Sequence, residues 1–251
     1  MEIFNNGTHS CHVFRDLVTG KEAVQANQFL IIDEEHSALI DPGGDMIYSR
    51  LFIEICNLTS VKGLDYIITS HQDPDIVASL NKWLSGTEAK IVVPELCERF
   101  IPHFTRLGKS DNRVIAMPDK GINLSLGCLQ LKALPAHFLH SEGNFQFYDP
   151  VSKILFSGDM GANLCPQTDL DKEVKKLSDI MPYMDGFHKR YMCSNKAGRF
   201  WVNMVRQLDI NLMVPQHGRA ISGKAIPEFL SYIENLQSGL DLLTQSDYKL
   251  P

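Results

Sequence analysis

The stretch Thr69-Ser-His-Gln-Asp-Pro-Asp-Ile76 decides how this chain is interpreted. It continues an apolar run that is typical of a buried strand. His71, Asp73 and Asp75 alternate along it, so their side chains project to one side of an extended backbone. One imidazole and two carboxylates at a strand end resemble half of a metal site. The same residues also suit a helix start, with Asp73 as N-cap before Pro74. Both interpretations hold together, because a capping carboxylate uses only one of its two oxygens.

Length and composition indicate a globular α/β protein and exclude several other classes. The chain has 251 residues, and a hydrophobic fraction of 44% is ordinary for a protein with a substantial core. Thirty acidic residues against 24 basic ones give a net charge of −6, which argues against a nucleic-acid surface. The six cysteines form no C-x-x-C pair, so no zinc knuckle or thioredoxin-like motif is present.

We expect no targeting segment, membrane span or interdomain linker in this sequence. The amino terminus lacks the basic and apolar regions of a signal peptide, and no apolar run approaches the roughly 18 residues of a transmembrane helix. We therefore expect a cytoplasmic protein with no membrane contact. No stretch rich in Pro, Gly or Ser divides the sequence, so residues 1–251 are expected to form a single domain.

Hydrophobic periodicity predicts alternating strands and helices. Two β-rich runs, 28–33 and 37–41, predict a hairpin, and apolar residues at three- and four-residue spacing predict a helix over 46–58. In the second half, helices are expected over about 169–181, 197–208 and 226–244. Such a succession favours an α/β layered architecture.

Three more metal-binding side chains follow predicted strands in the second half. They are His140, Asp159 and His217, and the last two stand close before Gly161 and Gly218. Glycine permits a close backbone approach, so these side chains would emerge in open loops. A lone histidine in such a loop is more often structural than a ligand. The combination with the first motif makes these residues candidate metal ligands.

The order of these residues resembles the iron-binding domain of the flavodiiron proteins, which has the metallo-β-lactamase fold. That family writes its first motif as His-x-Glu-x-Asp-His, followed by single His, Asp and His ligands. The segments 138–140, 154–159 and 215–218 fit its flanking sequences. The resemblance covers nearly the whole chain and implies an α/β fold, a four-layer αβ/βα sandwich with the metals at one edge.

The resemblance also implies a role for each candidate ligand. One iron would be held by His71, Asp73 and His140, and the other by Asp75 and His217, with Asp159 bridging. It implies a pair of iron ions (Fe2+/Fe3+) with an oxo, hydroxo or peroxo bridge. Three carboxylates and three imidazoles form a mixed O/N set that suits iron or manganese better than the His-rich sets of zinc hydrolases.

Ile76 is the informative departure from the family pattern. It stands where the family has a histidine ligand, so the second metal would have an extra open position at which dioxygen binds, or would be weakly held. His137 is the candidate to replace the missing histidine ligand. Alternatively, it is a residue that supports the ligands or has a purely structural role. We expect an apolar shell of Ile76, Phe138, Phe187 and Tyr191 to protect bound oxygen.

The second departure concerns electron supply. Flavodiiron enzymes carry a flavodoxin-like domain, which we expect this chain to lack, together with any flavin. In this the chain resembles the stand-alone oxygen-binding diiron proteins associated with bacterial chemotaxis. That resemblance implies an oxygen sensor that signals to a chemotaxis kinase or receptor complex, rather than a turnover enzyme.

Two alternatives from other functional classes stay open. One is an O2 or NO reductase that receives electrons from a separate rubredoxin-like protein or flavoprotein. The other is a zinc metallo-hydrolase, in which bound hydroxide attacks an ester or thioester. The carboxylate at Asp73 argues against the hydrolase, because the hydrolase motif has a histidine there.

Overall fold

Two β-sheets form the centre of the protein. The computed structural model describes residues 1–18, 23–106, 108, 110 and 112–250. The strands of the first sheet are β1 (Glu2–Asn5), β2 (His9–Phe14), β3 (Gln28–Asp33), β4 (His36–Ile40), β5 (Tyr66–Ile68), β6 (Lys90–Pro94) and β7 (Val114–Met117). Those of the second are β8 (Ile122–Leu126), β9 (Leu129–Pro135), β10 (Phe145–Asp149), β11 (Ile154–Phe156), β12 (Leu212–Val214) and β13 (Ile221–Ser222).

Each sheet is mixed, with an antiparallel part and a parallel part. In the first sheet, β1 to β4 pair in antiparallel fashion and β4 to β7 in parallel. In the second, β8 to β11 are antiparallel, and β11 pairs in parallel with β12. Parallel neighbours end at the same edge, so the loops after them gather there.

Helices cover the outer faces of both sheets. Their bounds are α1 (Tyr48–Cys56), α2 (Pro74–Val77), α3 (Leu80–Gly86), α4 (Glu95–Glu98), α5 (Ile101–Phe104), α6 (Met181–Tyr191), α7 (Asn195–Val205) and α8 (Ala225–Asn235). One apolar cluster, which includes Phe29 and Phe147, lies between the sheets. A second cluster, around Trp83, packs α1, α2, α3 and α5 against the first sheet. A third, around Trp201, packs α6 to α8 against the second sheet. The predicted four-layer αβ/βα sandwich is therefore confirmed.

Local periodicity located the first half of the chain well. The predicted hairpin corresponds to β3 and β4, and the helix predicted over 46–58 forms as α1. The turn between the two strands places Glu34 in the left-handed region, with a φ of 56°. These elements follow from short-range pattern alone, because each buries one face against a neighbour that is close in sequence.

The prediction of a helix over 169–181 was wrong. Two short 3-10 turns form instead, Gln167–Asp169 and Leu177–Asp179, and α6 begins only at the end of the predicted range. Val174 forms a parallel bridge with Ile221, which extends the second sheet. This pairing with a distant strand overrides the helix propensity of the segment. The last helix also ends earlier than expected, because α8 stops at Asn235.

The fold places the loops after four strands at one edge of the sandwich. These loops follow β5, β9, β11 and β12, and they carry His71, His140, Asp159 and His217 respectively. Within the described ranges, every helix is too short or too polar to cross a bilayer.

Candidate metal centre

The Asp159 carboxylate lies at the centre of the predicted site. Its Oδ2 is 3.3 Å from His71 Nε2 and 2.9 Å from His140 Nε2. Its other oxygen, Oδ1, is 3.4 Å from His217 Nε2. One oxygen of this carboxylate therefore faces two imidazoles, and the other oxygen faces a third.

Asp73 and Asp75 complete the two sets. Asp73 Oδ2 is 3.7 Å from His71 Nε2 and 3.5 Å from His140 Nε2. Asp75 Oδ2 is 3.5 Å from His217 Nε2. The structure thus brings all six predicted side chains together, as a group of three and a group of two on opposite sides of Asp159.

The helix-start interpretation of the opening motif holds for the backbone but not for the side chain. Asp73 occupies the N-cap position of α2 and Pro74 follows it inside the helix. The Asp73 side chain makes no capping hydrogen bond. Because the carboxylate does not cap the helix, both of its oxygens are available to the centre.

Hydrogen bonds behind the imidazoles fix their orientation. The Ser70 hydroxyl donates to Asp41 Oδ2 at 3.0 Å and lies 2.9 Å from His71 Nδ1, from which it accepts. His217 Nδ1 donates to the Gln25 carbonyl oxygen at 2.7 Å. With the Nδ1 proton used in this way, each Nε2 presents a lone pair to the centre, which is the arrangement that metal-binding histidines need.

Sequence reasoning missed the contribution of Ser70 and Asp41. The sequence places Asp41 at the end of the predicted strand 37–41 and indicates no role for it at the centre. It is buried at 2% exposure and also accepts a hydrogen bond from the Ser70 backbone N–H at 2.8 Å. Burial raises its pKa to about 6, although His71 and the hydrogen bonds from Ser70 oppose this shift. The signal available in the sequence was the position of Asp41, a carboxylate directly after β4, which is the strand adjacent to β5.

The electrostatics of the site come from the close packing of carboxylates and imidazoles. Burial lowers the pKa of His71, but the interaction with Asp73 and the charge of Asp159 outweigh it and raise this pKa to about 9. Burial raises the pKa of Asp159, but the hydrogen bond from His140 and the neighbouring imidazoles lower it to about 2. The Asp159 carboxylate is therefore ionised at neutral pH, and this negative charge favours cationic partners.

The donor set fits a pair of transition-metal ions. Asp159 Oδ1 is buried and has no hydrogen-bond partner among the described residues. A buried carboxylate oxygen without a partner is costly unless it has a ligand of another kind. His71, Asp73 and His140 converge closely enough to share one ion, since their donor atoms all lie within 4.8 Å of one another. Oxygen and imidazole nitrogen donors of this kind suit iron.

A cavity of about 720 Å³ opens above these side chains. Phe187 and Tyr191 from α6 line it, with their rings stacked at 4.7 Å between centroids. Both rings meet the His140 ring edge-on, at 6.2 and 5.6 Å. Arg190 lines the cavity as well. These two members of the predicted apolar shell therefore lie beside the centre.

The other predicted supporting residues lie elsewhere. Ile76 is fully buried in the cluster between α2 and the first sheet and does not line the cavity. Phe138 lines a separate cavity. His137 Nε2 donates to the Asp119 carbonyl oxygen at 2.8 Å, and this side chain also faces the separate cavity. The structure therefore does not place His137 as a substitute ligand.

A sequence profile described as "ODP family beta lactamase" matches residues 24–218. The chain belongs to the ODP family. A solved structure described as a peroxy diiron species of the chemotaxis sensor ODP is 36% identical, with a TM-score of 0.86 over 96% of this chain and 97% of that one. The apo state of the chemotaxis sensor ODP from T. denticola is 35% identical, with a TM-score of 0.82 and 96% of each chain covered.

More distant relatives of this ODP-family chain are larger proteins. The flavodiiron protein of Giardia intestinalis shares the fold at 17% identity, with a TM-score of 0.76, over 93% of this chain and 58% of that one. An uncharacterized protein of Methanocaldococcus jannaschii is 27% identical over 194 residues, or 76% of this chain and 48% of its own length. The chain thus spans about half the length of that relative. The ODP family and the flavodiiron cores share the metallo-β-lactamase fold.

Proposed function

We propose that this ODP-family protein is a cytoplasmic non-haem diiron protein that binds dioxygen and acts as an oxygen sensor in chemotaxis signalling. The observation that carries the proposal is the position of Asp159, whose two oxygens face separate sets of ligands 2.9 to 3.4 Å away. Similarity over 96% of the chain to a structure described as a peroxy diiron chemotaxis sensor supports it. We propose that residues 1–251 act as one diiron domain.

The proposed ligands divide into two sets around the bridging carboxylate of Asp159. His71, Asp73 and His140 would hold one iron, and Asp75 and His217 the other. When bound, the iron pair supplies the electrons and the open coordination position that dioxygen binding requires. The protein fixes the Nε2 atoms through hydrogen bonds behind the rings, so that the ligand geometry is set before metal binds.

The aromatic wall of the cavity restricts access to one side of the centre. Phe187 and Tyr191 cover the His140 ring, although Tyr191 is itself 55% exposed. Stacked rings beside a ligand exclude water and limit the approach of reductants from that side. This arrangement favours retention of bound oxygen over rapid turnover, and hence a sensor over a reductase. The signalling partner that we propose is a chemotaxis kinase or receptor complex.

The proposal is tested by metal analysis combined with optical spectroscopy. The protein is loaded with iron, reduced anaerobically and exposed to a single addition of O2. We expect two irons per chain and a visible band that persists for minutes to hours. His36→Ala is the matched control, because His36 pairs with Asp65 on the surface, where its side chain is 44% exposed. The control keeps the band, whereas His140→Ala loses it.

Other outcomes would identify the alternatives. Sustained consumption of O2 or NO with a rubredoxin-like or flavoprotein donor would replace the sensor with a reductase. Zinc in place of iron, together with ester or thioester hydrolysis, would replace it with a hydrolase.

A further inference from the structure

A second cavity, of about 500 Å³, lies behind the segment that presents His140. Residues 135–139 form one wall, and one face of α7 with the two residues before this helix, Cys193 and Ser194, forms the other. We call this space the α7 cavity. Its volume falls within the range of about 300–1,000 Å³ that is typical of small-molecule sites.

The lining of the α7 cavity is almost entirely apolar. Leu139 and Trp201 form its buried part, at 1% and 2% exposure. Phe138 and Phe200 also line it and remain 49% and 64% exposed. Large apolar side chains that stay this exposed around a concave surface are typical of a binding site.

Lys196 supplies the polar feature of the α7 cavity. It is the one residue with a permanent charge among the described residues that line the space. Its Nζ lies 5.8 Å from the centre of the Phe200 ring, and the described part of the chain offers it no carboxylate partner. An exposed ammonium group beside an apolar cavity complements a ligand with one negative charge at the end of an apolar body.

We propose that the α7 cavity binds an amphiphilic monocarboxylate, with its apolar chain against Trp201 and its carboxylate at Lys196. Such a ligand covers the exposed Phe138 and Phe200 rings and supplies the missing counter-charge. A protein segment or a second copy of this chain would also cover apolar surface. The concave shape and the single unpaired cation favour the small molecule.

Ligand binding there is coupled to the metal centre, a step that rests on the proposed function. Phe138 and Leu139 line the α7 cavity, and the next residue is His140. The Cys193 N–H donates to the Phe138 carbonyl oxygen at 3.1 Å. Cys193 also lines the α7 cavity, while Tyr191, two residues earlier, contacts the His140 ring. The segments 138–140 and 191–193 therefore each contact the α7 cavity at one end and the metal centre at the other.

The binding step is tested with decanoate, using calorimetry and tryptophan emission on metal-free and iron-loaded protein. Of the two tryptophans, Trp201 lines the α7 cavity and Trp83 lies in the cluster outside the first sheet. We expect saturable binding of one decanoate per chain with a change in emission. Uncharged decan-1-ol should bind about five-fold more weakly, as expected for loss of one exposed ion pair.

Two variants separate the charge from the cavity. Lys196→Gln should weaken decanoate about five-fold and leave decan-1-ol unchanged. Ala197→Leu fills the space and should abolish the binding of both, with an unchanged circular dichroism spectrum. The matched control is Lys224→Gln, because Lys224 precedes α8 and does not line the cavity.

Several results would overturn the proposal. One is the absence of saturable decanoate binding, and another is equal binding of decanoate to wild type and to the Ala197→Leu variant. A third is a dimer in sedimentation that the Ala197→Leu substitution dissociates, because a second copy of the chain would then cover the surface. Coupling predicts that reduced iron changes decanoate affinity at least about five-fold. Equal affinity with and without iron would refute the coupling alone. If the iron-loaded protein binds decanoate but shows no oxygen-dependent band, the proposed function alone would be refuted.

Discussion

Replacing His9 with alanine should destabilise the protein strongly. His9 is 2% exposed on β2, and its Nδ1 lies 2.9 Å from Asp33 Oδ1. Its Nε2 lies 2.7 Å from Asp149 Oδ2, at the end of β10 in the other sheet. Both ring nitrogens face carboxylates, an arrangement that favours the protonated ring, and the side chain joins the two sheets. Burial lowers the pKa of His9, but the two carboxylates outweigh it, and the net shift is upward.

The size of the effect follows from what His9→Ala leaves behind. Two buried carboxylates lose their shared cation, and removing one partner of a buried ion pair costs about 3–5 kcal/mol. For a chain of this length, that corresponds to a decrease in Tm of about 6–20 °C. His36→Ala is the matched control, because its partner Asp65 is 35% exposed and the pair should contribute less than about 1 kcal/mol.

Thermal and urea denaturation followed by circular dichroism measure both variants, in the same metal state. The pH dependence adds a second check. A raised pKa in the folded state gives stability that is present below the unfolded value of 6.5 and is lost as pH rises through the folded value. The difference between wild type and His9→Ala should therefore narrow at high pH. A His9→Ala variant that loses no more stability than His36→Ala would refute the reasoning.

Three further substitutions test other parts of the structure. Asp159→Asn should reduce iron content to one ion per chain or fewer, measured after dialysis, because the bridging carboxylate then lacks one anionic oxygen. Ser70→Ala should weaken metal binding about 10- to 100-fold in a competition titration, because His71 loses its orienting hydrogen bond. His188→Gln should reduce the loss of unfolding free energy that occurs as pH falls from 6.5 to 4. Burial lowers the pKa of His188 to about 4 from 6.5, so neutral His188 contributes about 3 kcal/mol above pH 6.5 that is lost as pH falls.

Each of these tests has its control and its contrary outcome. Asp65→Asn removes a surface carboxylate and should keep two irons per chain, whereas full iron content in Asp159→Asn would argue against bridging. Ser85→Ala removes an exposed hydroxyl that donates to the Asn81 carbonyl oxygen, and should leave metal affinity unchanged. Equal affinity in Ser70→Ala would show that the hydrogen bond does not orient His71. If wild type and His188→Gln lose stability in parallel from pH 6.5 to 4, His188 does not drive the acid transition.

The positions of the six candidate ligands along the chain show how much of the metal centre could be predicted from the sequence. The alternation of His71, Asp73 and Asp75 could be recognised locally, because side-chain direction repeats every two residues in an extended segment. His140, Asp159 and His217 were found at strand ends, and the family resemblance supplied their order. The same resemblance, with apolar periodicity, predicted the four-layer sandwich.

Other features depend on contacts between segments that are far apart in sequence. Pairing of Val174 with Ile221 prevented the helix that local propensity favoured. The contact between Ser70 and Asp41 was not foreseen. Ile76 and His137, which were expected beside the centre, do not line its cavity. Packing of whole sheets sets such distances, which no short pattern encodes.

The sequence by itself thus determined which side chains could bind metal and at which strand ends they stand. Only the tertiary structure decided that Asp159 turns one oxygen toward His140 and the other toward His217. The physical reason is that strand periodicity fixes the direction of a side chain along its own segment. The distance between segments is fixed by how the two sheets pack on their shared apolar core.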